Sequence, residues 1–425
     1  MSSGVFFILM LVFLLASPPV SVALGSSSLM YAIFGQGVPP EAALQKIAAA
    51  PDSFTMLAVP LFVFAGNLMS GGGIAKRITD FLESLFGWIK GGLSIVAIAA
   101  SAFFGAISGS STATSVAIGS IMIPGMVEKK YDKEYAAAVI ASSGPLGAII
   151  PPSLIMVTYG ALAGVSISKL FMGGIIPGIF MAFTMSVVSY FVCKKNGYYG
   201  NVKFSWGEVG RSLKKGTFAL GMPVIVLGGI YGGIFTPTEA AAISCVYVFI
   251  VSVFIYKEIK ISELPKIMIE TAELSGAILF LYSCACLCGW VLALGQIPQA
   301  ITSVIMGISS NRYVIMFLLM VLLLIAGCFM ESLAAITILA PIIIPIVEAA
   351  GIDPLHFGVV ACINIAVGCL TPPFGVCLFV TSGMTGVSLD RIVKRSLPLF
   401  IMMMIDIFIL AYVPIISTFL PTLGG

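Results

Sequence analysis

Residues 144–153 read GPLGAIIPPS, and residues 368–375 read GCLTPPFG. Each lies inside a long apolar stretch and carries a Pro-Pro pair four residues after a glycine. Adjacent prolines remove two backbone N–H donors, so a helix entering such a stretch releases carbonyls that it would otherwise pair. In water those carbonyls hydrate. In hydrocarbon they must find partners inside the protein or on a ligand.

The surroundings are hydrocarbon. The chain has 425 residues, of which 59% are hydrophobic and 9% charged, where a soluble domain carries about 25% charged residues. Apolar runs recur at 91–107, 170–193, 237–256, 274–294 and 397–419, each near the ~20 residues that cross a bilayer core. Composition thus excludes a soluble domain and gives an all-α polytopic membrane protein, with the lipid bilayer as solvent and no nucleic-acid partner. Residues 4–17 have an apolar core without a preceding Lys or Arg, so they read as a retained span, not a cleaved signal. Residues 4–35 read as one long tilted helix or as two spans, and a break at Ser17-Pro18-Pro19, like Thr236-Pro237-Thr238 in the second half, favours two. The nine cysteines, including Cys284, Cys286 and Cys288, lie mostly in apolar spans. The i, i+2, i+4 spacing does not share a helix face, so no metal site and no disulfide is expected.

The two Pro-Pro stretches are copies. Without gaps, an offset of 221 residues superposes Ser111 on Ser332, Pro124 on Pro345, Asp132 on Asp353, Gly147 on Gly368 and Pro151-Pro152 on Pro372-Pro373. GVSIS at 164–168 then matches GVSLD at 386–390 after a one-residue slip. The repeats are 1–215 and 216–425. Lys and Arg gather in five clusters, around 76–90, 129–133, 194–215, 257–266 and 391–395. Cytoplasmic loops hold such excess. Threading the chain between them gives about ten spans plus two re-entrant hairpins. The first hairpin (91–128) opens from the cytoplasm with GAISGSSTATS at its centre, and the second (312–348) opens from outside with GCFMESLAA at its tip. The broken helices are 135–160 and 356–383. An odd number of spans per half inverts the second copy, and discontinuous helices at the interface of inverted repeats mark the sites of secondary transporters. Segments 74–90 and 296–310 are amphipathic and read as interfacial helices.

Released carbonyls and hydroxyls form an all-oxygen cage suited to a monovalent hard cation such as Na⁺, since a divalent ion usually demands carboxylates. The first cage is assigned to Ser108, Gly109, Ser110, Gly147, Ile150 and Pro152. Its twin is assigned to Gly327, Gly368, Thr371 and Phe374. Helix N-termini at both hairpin tips favour an anion, held by Ser110, Ser111, Thr112, Ser153 or Ser332. Glu331, the one acid in the second tip, is a further substrate or cation contact. Glu239 is read as capping a helix with Thr238, Asp406 as pairing with a neighbouring helix, and His356, the single His, as non-catalytic. An enzyme is not expected, because no nucleophile with a base and no paired aspartates lie within spans.

FFGAISGSSTATSVAIGSIMIP (103–124), GPLGAIIPPSLIMVTYGALAGVSI (144–167), GGIYGGIFTPTEAAA (228–242), LTPPFGVCLFV (370–380) and APDSFTMLAVPLFVFAGNLM (50–69) resemble the large membrane subunit of tripartite ATP-independent periplasmic (TRAP) transporters. The resemblance covers essentially the whole chain. It implies a small four-helix membrane subunit and a periplasmic substrate-binding protein as partners, placement in the bacterial inner membrane, and no cofactor beyond Na⁺ as coupling ion. It also implies an elevator mechanism, with a mobile domain carrying both hairpins, and carboxylate substrates such as C4-dicarboxylates, sialic acids and keto acids. The family's sodium sites map onto Ser108, Ser110, Gly147, Ile150 and Pro152, and onto Gly368 and Thr371. The small subunit is not expected to be fused ahead of residue 1.

Competing readings are a binding-protein-independent Na⁺/anion symporter of the same architecture, an intramembrane enzyme, and a channel. The topology carries its own test: Lys214 and Lys215 should react with a membrane-impermeant amine reagent only when the cytoplasmic face is exposed. Labelling in intact spheroplasts would break the threading.

Overall fold

The computed structural model describes residues 3–15, 19–198, 204–308, 311–372 and 374–423. Ser17, Pro18, Lys203 and Pro373, on which parts of the reading above fall, lie outside the described residues. All regular structure among the described residues is helical.

The first half runs α1 (Ser3–Leu15), α2 (Val20–Met30, continued by a π-turn over Tyr31–Gly35), α3 (Pro40–Ala49), α4 (Ala58–Gly71) and α5 (Ile74–Phe86). It continues through α6 (Gly92–Ser108), α7 (Ser111–Glu128), α8 (Lys133–Ser143), α9 (Leu146–Ile149), α10 (Leu154–Ala163) and α11 (Ile167–Asn196). The second half runs α12 (Trp206–Tyr231), α13 (Pro237–Phe249, with a π stretch over Ile250–Ile255), α14 (Leu264–Leu294) and α15 (Ile297–Ile308). Then follow α16 (Arg312–Phe329), α17 (Ser332–Ala349), α18 (Pro354–Gly368), α19 (Val376–Thr385), α20 (Leu389–Tyr412) and α21 (Ile415–Leu423). Helix α7 and helix α17 are 221 residues apart at both ends, and α10 and α19 are 222 apart at both ends. The one-residue slip in the sequence alignment therefore falls at the second break.

Among the described residues seven helices are long and apolar enough to cross a membrane, or up to nine when each of two bent pairs counts as one span. This is a multi-pass membrane protein. The first bent pair is Lys133–Ile149 with Leu154–Ala163, at 40°. Its twin breaks between Gly368 and Val376. The hairpin arms have 17 and 18 residues in the first hairpin and 18 and 18 in the second. At 1.5 Å per residue each is about 26 Å long, close to the hydrocarbon thickness.

Other details differ from expectation. The last span, 397–419, is not one helix: α20 and α21 meet at 57°, because Pro414 has no N–H to continue the ladder. His356 staples that bend, with Nδ1 2.7 Å from Ser417 Oγ and Nε2 3.1 Å from the Ala411 carbonyl. The cap of α13 is Thr236, not Thr238. The Thr236 hydroxyl accepts from the Glu239 N–H at 3.3 Å, and the Glu239 carboxylate accepts from the Thr236 N–H at 2.8 Å, a reciprocal capping box. Thr238 instead donates to the Phe54 carbonyl. Asp406 pairs as expected, accepting from the Thr184 hydroxyl at 2.6 Å. All nine cysteines are free thiols.

Packing draws the hairpins and broken helices together. Helix α6 lies against α7 and α9, and α16 lies against α18. Each hairpin also touches the broken helix of the other half, through α10 with α17 and α19 with α7. At the start of α8, Arg395 pairs with Asp132 and Arg391 with Glu134, both at 3.2 Å. Outside this group, α2, α4 and α14 pack together, as do α4 with α13 and α5 with α12. The apolar face of α5 (Ile74, Ala75, Ile78, Leu82) is buried.

The crossing of hairpin and broken helix is backbone on backbone in both halves. A methyl group at Gly105 would stand 2.5 Å from the Gly147 Cα, and one at Gly368 would stand 2.7 Å from the Gly327 Cα. Only glycine allows such approach. Gly105→Ala should therefore cost about 1–3 kcal/mol through overpacking and lower the unfolding midpoint in detergent. Gly276→Ala, on α14 with no atom within 4 Å, should leave that midpoint unchanged or raise it. Equal midpoints for the two variants would contradict the packing.

Candidate functional site

The first tip is built by three residues. Ser108 ends α6, Gly109 turns left-handed at φ 62°, and Ser110 is the extended N-cap of α7, its hydroxyl accepting from the Ala113 N–H at 3.4 Å. The Ser108 hydroxyl lies 2.9 Å from that of Thr114, and the Ser110 hydroxyl 3.1 Å from that of Thr112. The tip is tied to the first break by the Leu154 N–H, which donates to the Gly109 carbonyl at 3.3 Å.

That bond decides the fate of the carbonyls at the break. In a continuous helix the Leu154 N–H would serve Ile150, and residue 151 would serve Gly147. The first has been diverted to the tip, and Pro151 has no N–H. The carbonyls of Gly147 and Ile150 are thus deprived of their helical donors, beside a tip rich in hydroxyls. Gly147 has no room for a side chain: a methyl there would stand 2.1 Å from Thr114 Oγ1 and 2.7 Å from the Ser110 carbonyl. The Pro152 carbonyl faces Gly109, 2.8 Å from where a methyl would sit. Thus Gly109 and Ser110 of the tip lie against Pro152 and Gly147, and the oxygens of Ser108, Gly109, Ser110, Gly147, Ile150 and Pro152, neutral and without a carboxylate, are the ones that could hold a monovalent hard cation here. Ser153 is turned inward. Its buried hydroxyl donates to the Ala148 carbonyl and accepts from the Met156 N–H, so its bonding capacity serves the break itself.

The second tip has different chemistry at equivalent positions. Glu331 stands where the first half has Ser110, and its carboxylate caps α17, accepting from the N–H groups of Leu333 at 2.8 Å and Ala334 at 3.4 Å. The positive end of α17 is thereby occupied by the chain's own anion. Ser332 is 2.9 Å from the Cys369 thiol. The Cys328 thiol donates to the carbonyls of Thr371 and Pro372, both at 3.2 Å. The Gly368 carbonyl accepts from the Thr371 N–H at 2.8 Å, and the Thr371 carbonyl also accepts from Gly375 at 3.0 Å. The Thr371 hydroxyl is buried without a partner. Phe374 is 50% exposed, with its ring 5.4 Å from that of Phe329.

One cavity of about 560 Å³ joins the tips. Residues 108–113 line it from the first, Glu331 and Leu333 from the second, and Asn67 and Ser70 from α4. No Lys, Arg or His lines it. Ser111, 3% exposed in the first turn of α7, is among the lining residues, and its buried hydroxyl has no partner. Sequence reasoning missed Thr114, Asn67 and Cys328. Asn67, which donates to Thr271 Oγ1 at 3.0 Å across to α14, was legible as the one amide in an otherwise apolar span.

A helical-bundle membrane protein with paired hairpins and paired helix breaks around one cavity belongs to the class of membrane permeases. The match to known proteins narrows the class. Residues 7–416 fit the model of the tripartite ATP-independent periplasmic transporter, DctM component, and the chain belongs to this family. It is 40% identical to the isethionate TRAP transporter permease protein DctMQ of Oleidesulfovibrio alaskensis, over 96% of this chain and 64% of that protein. It is also 40% identical to the C4-dicarboxylate TRAP transporter large permease protein DctM of Pseudomonas aeruginosa, over 89% of each chain. The relatives are transporter permeases, not enzymes. In fold it resembles the Alcanivorax borkumensis YdaH transporter, with a TM-score of 0.59, 13% identity, and 89% and 86% of the two chains covered.

The convergence at Gly147 yields a sharp expectation. Gly147→Val should insert in the membrane yet abolish uptake, since the side chain would displace Thr114 and the Ser110 carbonyl. Wild-type transport by this variant would refute the site.

Proposed function

We propose that the chain is the large permease of a Na⁺-coupled TRAP transporter in the bacterial inner membrane. It imports an organic acid delivered by a periplasmic binding protein and works with a small four-helix membrane subunit. The observation that carries this reading is the cavity reached by both tips and lined by residues 108–113 at the N-terminus of α7, where the Ser111 hydroxyl is buried without a partner.

A helix N-terminus with a free hydroxyl is an anion site, and the cavity offers no basic side chain. The substrate carboxylate is therefore held by Ser111, Thr112 and the first-turn N–H groups of α7, not by an ion pair. Glu331 repels an anion at the other tip, which orients the acid with its charge toward the first hairpin. Sodium at the first cage, among Ser108, Ser110, Gly147, Ile150 and Pro152, adds positive charge beside that carboxylate. Each ligand thereby raises the affinity of the other.

The transport step follows from the same parts. The halves are inverted copies, 1–215 and 216–425, with both hairpins re-entrant. Hairpins and broken helices move together as an elevator against the α2, α4, α13 and α14 group. The mutual packing of α10 with α17 and α19 with α7 supports a single moving body. The names of the relatives favour small organic acids, and the candidate cargo comprises C4-dicarboxylates, sialic acids and similar carboxylates.

The test is uptake into proteoliposomes holding both membrane subunits, with binding protein outside. An inward Na⁺ gradient should drive accumulation, and Ser110→Ala should raise the Na⁺ concentration for half-maximal uptake severalfold. Unchanged sodium activation would remove the first cage. Uptake that ignores the binding protein would instead establish the independent symporter.

A further inference from the structure

The two cages, equivalent by sequence, are not equivalent in chemistry. At the first, broken-helix carbonyls are deprived of their helical donors. At the second, the corresponding region is closed by protein donors: the Thr371 N–H on Gly368, the Gly375 N–H on Thr371, and the Cys328 thiol on Thr371 and Pro372 together. Of these three donors only the thiol belongs to the hairpin. Cys328 occupies the last turn of α16 and is 4% exposed. Its first-half counterpart at the 221-residue offset is Ile107, which has no donor.

We propose that the Cys328 S–H is a built-in competitor of the second cation: it occupies the Thr371 and Pro372 carbonyls, and a monovalent cation must turn it away to bind. This rests on the reading of Gly368 and Thr371 as a sodium cage. The positive end of an S–H dipole and a cation seek the same carbonyl lone pairs and repel each other. Cation entry therefore rotates the thiol off both oxygens. The neighbouring Thr371 hydroxyl, buried and unpartnered, supplies an additional oxygen once the cation is in place. The contact also links the end of α16 to the helix break, so the second cage is latched to its hairpin by a bond that sodium releases. Cys328 is a positioning residue, and it makes the second site the weaker of the two.

The experiment uses the purified full chain in nanodiscs, titrated with NaCl against choline chloride. Two readouts are followed: the sodium dependence of the thermal midpoint, and the S–H stretching band in infrared difference spectra, assigned by its loss in Cys328→Ala. Sodium should shift that band toward the frequency of a weaker hydrogen bond. Cys328→Ala and Cys328→Val, one smaller and one bulkier, should both lower the half-saturating Na⁺ concentration by about two- to tenfold, the equivalent of one hydrogen bond. A packing role would move them in opposite directions or weaken both. An S–H band indifferent to sodium, or half-saturation unchanged or raised in both variants, overturns the proposal. Thr371→Ala separates the two levels. If it alters sodium dependence while the Cys328 variants do not, only the thiol competition fails. If neither position matters, the second cage itself is wrong.

Discussion

A peptide carbonyl in hydrocarbon has to be paired, and the structure turns on where four such groups go. Pro151 and Pro372 each deny a helical donor to the residue four positions earlier, Gly147 and Gly368. The chain answers differently at each place. In the first half the Leu154 N–H crosses to Gly109 and pins the hairpin tip to the break, which leaves Ile150 without its helical donor, as Pro151 leaves Gly147. In the second half the break folds back on itself and recruits the Cys328 thiol. Duplicated sequence has thus produced two breaks whose carbonyls are partnered differently.

The glycines make this possible. Gly105 against Gly147 and Gly327 against Gly368 bring hairpin and broken helix to backbone contact, close enough for tip residues to reach released carbonyls. Substrate recognition follows from the same economy of charge. A cavity with one carboxylate and no basic side chain can hold an anion only through helix-terminal N–H groups, hydroxyls and a co-bound cation. Under the proposed function, coupling of cation to anion would be a consequence of the lining. No separate device is required.

Much of this was legible in the residues. The 221-residue register located both breaks and both tips, because proline and glycine act locally and leave the same mark wherever they occur. It could not show that Glu331, equivalent to Ser110, would spend its carboxylate on Leu333 and Ala334, nor that Ser153 would turn inward to Ala148. Those outcomes depend on rotamers chosen by packing. The arm lengths were also illegible: a Gly/Ser-rich centre marks where a hairpin turns, not how far its helices run. The bend at Pro414 was missed because the apolar run continues across it, and the His356 staple lies 55 and 61 residues away from its partners.

The central claim is that carbonyls released at the first break hold sodium. A high-resolution density map of the purified protein in NaCl, compared with one in choline chloride, tests it most directly. The account predicts a sodium-dependent peak enclosed by oxygens of Ser108, Ser110, Gly147, Ile150 and Pro152. Identical maps, with the Gly147 and Ile150 carbonyls bonded to protein or water in both salts, would contradict it.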